Sequence, residues 1–532
     1  MKKRATAIDP LASSQCLIER LQRSPQAFPH PASDVQRIET HISWVLLAGD
    51  YAYKLKKPLK LDFLDYSTQA LRRAACEEEL RINRRAAPGL YLGVVPVTGQ
   101  ARAPRMGGDG PVLDWAVQMR RFDQEALLSR LIEQGRLRPE QVDRLARQLA
   151  HFHAAAAVAP ADGEFGKPET VRSVVRQVVA PLGEPVHQLA DPALAATLDQ
   201  VARWTEAQGQ ALEGLFAQRL AQGRVRECHG DLHLGNLVLV DGEPQLFDAI
   251  EFNPRFRWID VMADLAFVLM DLQARGRADL AWRLLNAWLE QTGDYAGLRL
   301  LPYYLVYRAL VRARVAGLRL AQLTGQARQA AAQELGAYLG LAAQFTRERE
   351  PRLWLTCGVS GSGKSSQSQA LVESRGLVRL RADVERKRLF GLPPEASSAG
   401  LAGPGIYTAE ASRRTYARLA LLARELLAAG WPVLVDASFL HRAQRSAFRA
   451  QARELGVSCL ILAFEAPEAL LRERVRSRAL AGGDASEADE AVLQSQLAHR
   501  EPLDEEERAQ AVFVDTREAV DWAALLPPEK TG

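Results

Sequence analysis

An apolar stretch, Leu353-Trp-Leu-Thr-Cys, runs straight into Gly358-Val-Ser-Gly-Ser-Gly-Lys364-Ser365 and then into a helical pattern from Ser366 to Leu371. Few features constrain a fold as tightly. The glycines let successive backbone N–H groups converge on one anion when a strand delivers the chain and a helix receives it. Gly358, Ser360, Gly361, Ser362, Gly363, Lys364, Ser365 and Ser366 are therefore candidate phosphate-binding residues, with Lys364 as a point charge for the outer phosphate oxygens and Ser365 as a magnesium ligand. Four more apolar strand patterns follow, at 378–381, 433–436, 460–464 and 512–515, each separated by a helical one. That alternation predicts a parallel sheet with flanking helices.

A second polar constellation lies far upstream: His229-Gly-Asp231-Leu-His233-Leu-Gly-Asn236, followed by Leu246-Phe-Asp248. The chain has 532 residues, whereas single cores stop growing at roughly 250 to 300, so two domains are expected. The boundary falls where a charged helix end, Thr346-Arg-Glu-Arg-Glu, meets Pro351 and a new apolar strand, which divides the chain into 1–348 and 349–532. Five scattered cysteines, with no Cys-x-x-Cys pair, fit neither a disulfide framework nor a zinc site and imply a reducing compartment. The basic opening Met1-Lys-Lys-Arg is interrupted by Asp9 and Pro10 before any apolar run, and no stretch approaches the roughly 20 apolar residues that span a bilayer, so a cytoplasmic protein without a membrane partner is expected. A formal net charge of +4 does not by itself mark a nucleic-acid binder.

Within the first 348 residues, His41 to Lys57 reads as a hairpin turning at Gly49-Asp50, and Thr68 to Ala87 as a helix stopped by Pro88-Gly89. Tyr91 to Val97 and Trp115 to Met119 are further strand candidates. From Glu125 onward the apolar spacing is helical, and long Ala- and Leu-rich helices return between about Leu280 and Arg347. A small β-rich lobe thus precedes a helical one.

The His229 to Asn236 segment with Asp248 resembles the catalytic and metal-binding loops of aminoglycoside phosphotransferases and of the wider protein-kinase-like fold, in which an Asn stands five residues after the catalytic Asp. The resemblance implies that Asp231 accepts or orients the proton of an acceptor hydroxyl and that Asn236 and Asp248 ligate magnesium between nucleotide phosphates. It makes Lys54 the phosphate-gripping lysine of the third strand and Glu79 its ion-pair partner, with Glu77 and Glu78 as competitors. It also makes Gln118 to Phe122, Met119 among them, the crossing whose backbone reads adenine. Glu251, Asp260 and Asp264 would fix the catalytic loop, the last two sharing one face if their segment is helical. No Gly-x-Gly-x-x-Gly precedes Lys54; Glu39-Thr-His41-Ile-Ser43 stands in that place, a departure that aminoglycoside-type kinases share. His229 and His233 lack a third ligand nearby and read as loop residues. Arg308, Arg312 and Arg319 read as solvated or capped, with an anion-binding face as the alternative.

In the C-terminal half, Arg381-Ala-Asp383-Val-Glu-Arg386 comes directly off the second strand and resembles the Asp-x-x-Arg pair of P-loop small-molecule and polynucleotide kinases, including the zeta-toxin-like, AAA-type group. Asp383 would then orient the acceptor hydroxyl and Arg386 clamp substrate or phosphate. Asp436 ends an apolar strand, where a carboxylate can hold magnesium through water, although a strand-end Asp is also a common helix cap. Arg472 to Arg478 resembles the arginine-bearing lid of nucleoside-monophosphate-type kinases, with Arg474 and Arg478 closing on the phosphoryl group; an Arg/Glu-paired solvent face is the alternative. Arg442 and Arg445 follow Asp436 on the next helix.

The expected architecture is a bilobal α+β kinase-like domain followed by an α/β P-loop domain. The expected activity is ATP- and magnesium-dependent phosphoryl transfer to hydroxyls of small polar acceptors at two sites. An ATP-binding sensor with a P-loop switch and a polynucleotide-end kinase are the competing readings. Aminoglycosides are cations, and residues 158–223 show no acidic concentration suited to them.

Overall fold

The computed structural model describes residues 9–61, 64–398, 406–481 and 485–526; the basic opening and its signal-peptide reading lie outside them. No helix among the described residues is long and apolar enough to cross a membrane. The chain forms two compact units, the first built from 1–144, 151–177 and 206–271, the second from 145–150, 178–205 and 272–532.

The first unit opens with helix α1 (Pro10–Gln22), followed by strands β1 (Val35–Glu39), β2 (Ser43–Ala48) and β3 (Tyr51–Lys56). Helix α2 (Gln69–Asn83) then precedes β4 (Tyr91–Gln100), β5 (Ala103–Met106) and β6 (Val112–Arg120). These six strands form one antiparallel sheet in the order β1-β2-β3-β6-β4-β5. The hairpin turn falls at Gly49-Asp50 as expected, with Ala48 opposite Tyr51. Thr68 caps α2 by accepting from Leu71 N–H. One side of the sheet buries Trp44, Leu46, Tyr53 and Leu55 with residues of α1, and the other buries Leu47, Ala52, Val117 and Met119 against Cys76 of α2. Full burial of each such large side chain is worth roughly 1.5–3 kcal/mol, so the sheet is a stiff platform for any group on β3.

Helix α3 (Pro139–Ala155) leads toward the helical part, where short strands β7 (Val225–Glu227), β8 (Leu237–Val240), β9 (Glu243–Leu246) and β10 (Trp258–Asp260) surround the upstream motif. β8 pairs with β9 and β10 with β7, both antiparallel. The chain between β7 and β8 is thus pinned at both ends, and helix α4 (Val261–Ala274) follows.

In the second unit, helices α5 (Ala278–Thr292), α6 (Leu301–Leu320) and α7 (Gly325–Phe345) precede β11 (Arg352–Cys357) and α8 (Lys364–Arg375). The remaining elements that matter to the site are β12 (Val378–Arg381), α9 (Ala382–Leu389), α10 (Ala409–Ala428), β13 (Val433–Asp436), α11 (Arg442–Glu454), β14 (Ser458–Glu465), α12 (Glu468–Ala481) and β15 (Ala511–Asp515). Every strand pairing in this sheet is parallel, in the order β12-β13-β11-β14-β15. From central β11 the chain goes first to one side and later to the other. That reversal opens a crevice at the carboxyl ends of β11 and β13, where open α/β sheets bind ligands.

Candidate active sites

In the first unit, Lys54 sits mid-strand on β3 facing α2, and its Nζ donates to Glu79 Oε1 at 2.8 Å and also contacts Asp248. Of the three acidic candidates on α2, only Glu79 reaches it. Glu77 pairs with Arg73 at the surface, and Glu78 with Arg81 and Arg257. Burial alone would push the Lys54 ammonium down; Asp248 and Glu79 outweigh it and hold its pKa well above the ordinary lysine value.

Asp248 has φ +63°, a conformation uncommon for a side-chain-bearing residue, and it is fixed from outside: its N–H donates to Tyr91 Oη (3.0 Å) and the next N–H, of Ala249, to Asn83 Oδ1 (2.9 Å). Asn236 spends its amide NH2 on Asp231, at 2.9 Å to the carbonyl and 3.0 Å to Oδ2. The Asn236 amide oxygen and the Asp248 carboxylate remain as an all-oxygen donor pair, the set a hard cation takes. His233 Nδ1 accepts from Gly235 N–H at 3.0 Å, which makes Nε2 its N–H, 3.5 Å from Asp231 Oδ2.

The loop bearing Asp231 is tied down by buried partners. Asp264 on α4 accepts from His229 N–H (3.1 Å) and Gly230 N–H (2.9 Å), the loop-fixing role expected of it. His229 donates through Nε2 to Phe247 O at 2.8 Å, and burial lowers its pKa. His153, Cys228 and Asp264 bring ligand atoms within 4.8 Å of one another, yet all three are buried and Asp264 is occupied by the loop, so they read as its anchor. Gly230 has φ +86°, and a Cβ there would lie 2.6 Å from Phe256 O, so only glycine fits.

Two expectations need revision. Asp260 is the last residue of strand β10, paired with buried Arg219, and so does not share a helix face with Asp264. Met119 lies inside β6, paired with Ala52 on one side and Tyr91 on the other, its side chain in the core. Pairing continues to Arg121, whose N–H donates to Asp50 O, so Phe122 is the first residue of that crossing past the sheet. Arg312 and Arg319 both pair with Glu334 of α7, and Arg308 is buried against Tyr307, in keeping with the capped reading of these arginines.

Sequence reasoning missed Lys56. It lies two residues after Lys54, on the same side of β3, with no exposed surface, and bridges Glu79 and Glu251. Tyr66 Oη adds a 2.6 Å hydrogen bond to Glu251. The available signal was the alternation itself: a second lysine at i+2 on a strand whose alternate face is buried needs a carboxylate partner.

In the second unit, the loop from Gly358 to Gly363 follows β11, and α8 begins at Lys364, its N-terminal N–H groups facing the loop. Gly361 has φ +79°, and a Cβ would sit 2.6 Å from Leu471 O. Lys364 Nζ donates to Val359 O at 2.8 Å, and burial lowers its pKa. Ser360 N–H donates to Gln496 Oε1 (2.7 Å), while Thr516 Oγ1 donates to Ser362 O (3.0 Å).

A cleft of about 1160 Å³ is lined by Ser360, Lys364, Ser365, Ser366, Asp383, Arg386, Asp436, Arg474 and Arg478, so the structure gathers most of the sequence-selected residues of this half in one place, Gly358 and Ser362 lying outside its lining. Asp436 ends β13. Thr356 of β11 ties that strand end by donating to Ala437 O at 2.8 Å, but Asp436 Oδ2 is buried without a hydrogen-bond partner. A buried orphan carboxylate oxygen beside a phosphate loop fits a hydrated cation. Asp383 and Arg386 pair with each other at 3.0 Å, and the Arg386 guanidinium lies over the Tyr407 ring. Of the lid arginines, Arg474 on α12 donates to Gly361 O and Thr516, bracing the phosphate loop, and Arg478 donates to Ala488 O. Arg445 is fully buried on Glu507 and acts in packing.

Residues 65–301 match the phosphotransferase enzyme family and residues 353–503 an AAA domain family. The uncharacterized protein Rv2004c of Mycobacterium tuberculosis is 30% identical over 475 residues, 88% of this chain and 92% of its own, and the uncharacterized protein Mb2027c of Mycobacterium bovis matches equally. Among solved structures, a gluconokinase from Sinorhizobium meliloti aligns with 34% of this chain and 89% of its own at 26% identity and a TM-score of 0.24. A choline/ethanolamine kinase family protein from Mesorhizobium loti aligns with 62% and 99% at 12% identity and a TM-score of 0.35.

Proposed function

The chain belongs to the family of these mycobacterial relatives, a kinase-like phosphotransferase domain followed by a P-loop kinase domain, and on that basis we propose that it moves the γ-phosphoryl of ATP to hydroxyls of small polar acceptors at two sites. The observation that carries this is the meeting of Lys54, Glu79 and Asp248, with Phe247, the residue before Asp248, hydrogen-bonded to Asn236, which in turn holds Asp231. A domain that only binds a ligand has no use for a fixed cation, two oxygen donors and a half-exposed carboxylate together.

In the first site Lys54, its ammonium kept charged by Glu79, grips the donor's phosphates, and Asp231 takes the proton of the acceptor hydroxyl as the new O–P bond forms and the bond to ADP breaks. In the second, the Gly358–Ser366 backbone and Lys364 hold the phosphates, Asp383 orients the acceptor hydroxyl, and Arg386 clamps the acceptor or the moving phosphoryl. Magnesium, held by Asn236 and Asp248 in one site and by Ser365 and, through water, Asp436 in the other, would neutralise charge between donor phosphates. The polar lining of the second cleft, with Tyr407, Ser412, Gln444 and His499, suits a hydroxyl-rich acceptor.

The test is ATP consumption against a metabolite library by wild type, Asp231→Ala, Lys364→Ala and the double variant. Each hit should vanish in one single variant and persist in the other. Two ATP-binding sites without turnover on any acceptor would replace this reading with a sensor, and transfer confined to oligonucleotide ends would replace it with end repair.

A further inference from the structure

Helix α5 lies within the stretch matched by the phosphotransferase family, yet it belongs to the same compact unit as the C-terminal sheet. Its side chains grasp β12, an edge strand of that sheet. Asn286, 1% exposed, donates to Leu377 O at 2.9 Å and accepts from Arg379 N–H at 2.7 Å, so one amide occupies two backbone groups that a neighbouring strand would otherwise take. One helical turn further on, Glu290 accepts from Arg379 (2.8 Å) and from Arg381 (3.1 Å). Arg381 is the last residue of β12, two residues before Asp383, and pairs in register with Asp436 of β13.

The Arg381 Nε stands 3.9 Å from Asp436 Oδ2, inside ion-pair range but beyond a hydrogen bond, and that oxygen is the buried one without a hydrogen-bond partner. Glu290 is the counter-charge that holds the guanidinium back. Without it, the Asp436 carboxylate, already 3.9 Å away, draws the guanidinium in, and Arg381 would take the oxygen that a hydrated cation needs.

We propose that Glu290 and Asn286 of α5 are positioning residues of the C-terminal phosphoryl-transfer site: they fix β12 and, through Arg381, keep Asp436 open for magnesium. The role rests on the kinase reading of that site. It makes a helix counted by sequence with the first domain a working part of the second.

The experiment uses the full-length chain in an Asp231→Ala background. Magnesium is titrated against a fluorescent ATP analogue, and backbone hydrogen exchange is followed over residues 377–383. Glu290→Gln should raise the magnesium midpoint by about fivefold or more while metal-free nucleotide affinity stays close to that of the parent. Adding Arg381→Gln should restore the midpoint, which a general loss of packing would not do. Asn286→Ala should speed exchange at Arg379 and its neighbours. An unchanged midpoint in Glu290→Gln, or no rescue by the second substitution, overturns the positioning role. A parent chain that binds no magnesium nucleotide through Lys364 overturns the kinase reading beneath it.

Discussion

Lys56 has an ammonium with no exposed surface between two buried carboxylates. Replacing it with methionine leaves Glu79 with Lys54 alone and Glu251 with the Tyr66 hydroxyl but no cation in contact, and removing one partner from such a cluster costs about 3–5 kcal/mol. Urea unfolding of Lys56→Met should show a loss of that size, far larger than that of an exposed control such as Lys60→Met. Gly230→Ala should leave the protein folded and abolish the turnover assigned to Asp231, since the strained φ and the clash with Phe256 O displace the loop; activity within twofold of wild type would show that the loop tolerates the shift. At this scale sequence located Asp231, Asn236 and Asp248 through their spacing, and Lys54 through its order along the chain. It missed Lys56, Asn83 and Tyr91, because each is defined by a partner far away in sequence. Sequence already favours Glu79 as the partner of Lys54, and its competitors drop out once Arg73, Arg81 and Arg257 are seen to take them.

Elements were legible in proportion to their burial. Strands β12 and β13 of the parallel sheet begin and end where the apolar runs predict, since both faces of a parallel strand are covered and read as continuous hydrophobic stretches. Strand β1 escaped because it is an edge strand with one buried residue in five. The ion cluster joining α5 to β12 gives the second unit an acid-sensitive point. Burial pushes the Glu290 carboxyl up, but Arg379 and Arg381 outweigh it and hold its pKa below the ordinary glutamate value. A lowered carboxylate pKa contributes stability that is full above the ordinary value and is lost as pH falls through the lowered one. The difference in melting temperature between wild type and Glu290→Gln should therefore be greatest near neutrality and shrink as pH drops below the usual carboxylate range. A difference that grows in acid would contradict this assignment.

For the whole molecule, sequence puts the break between domains at residues 346–351, whereas the compact unit that holds the C-terminal sheet takes in the chain from residue 272, α5 included. No local pattern could have disclosed this, because Asn286 looks like any other polar residue of an amphipathic helix until its two hydrogen bonds are seen. A fragment of residues 349–532 is expected to melt at least several degrees below the corresponding transition of the intact chain, checked by calorimetry; an identical melting temperature would mean that α5 adds nothing. The amide of Asn286 has a further consequence. An uncovered edge strand offers a row of N–H and C=O groups as a template for another copy of the chain. By occupying Leu377 O and Arg379 N–H, one side chain denies that row its open register, so the helix that steadies the strand also guards against aggregation, and Asn286→Ala should show concentration-dependent self-association in light scattering while Asn286→Gln shows less.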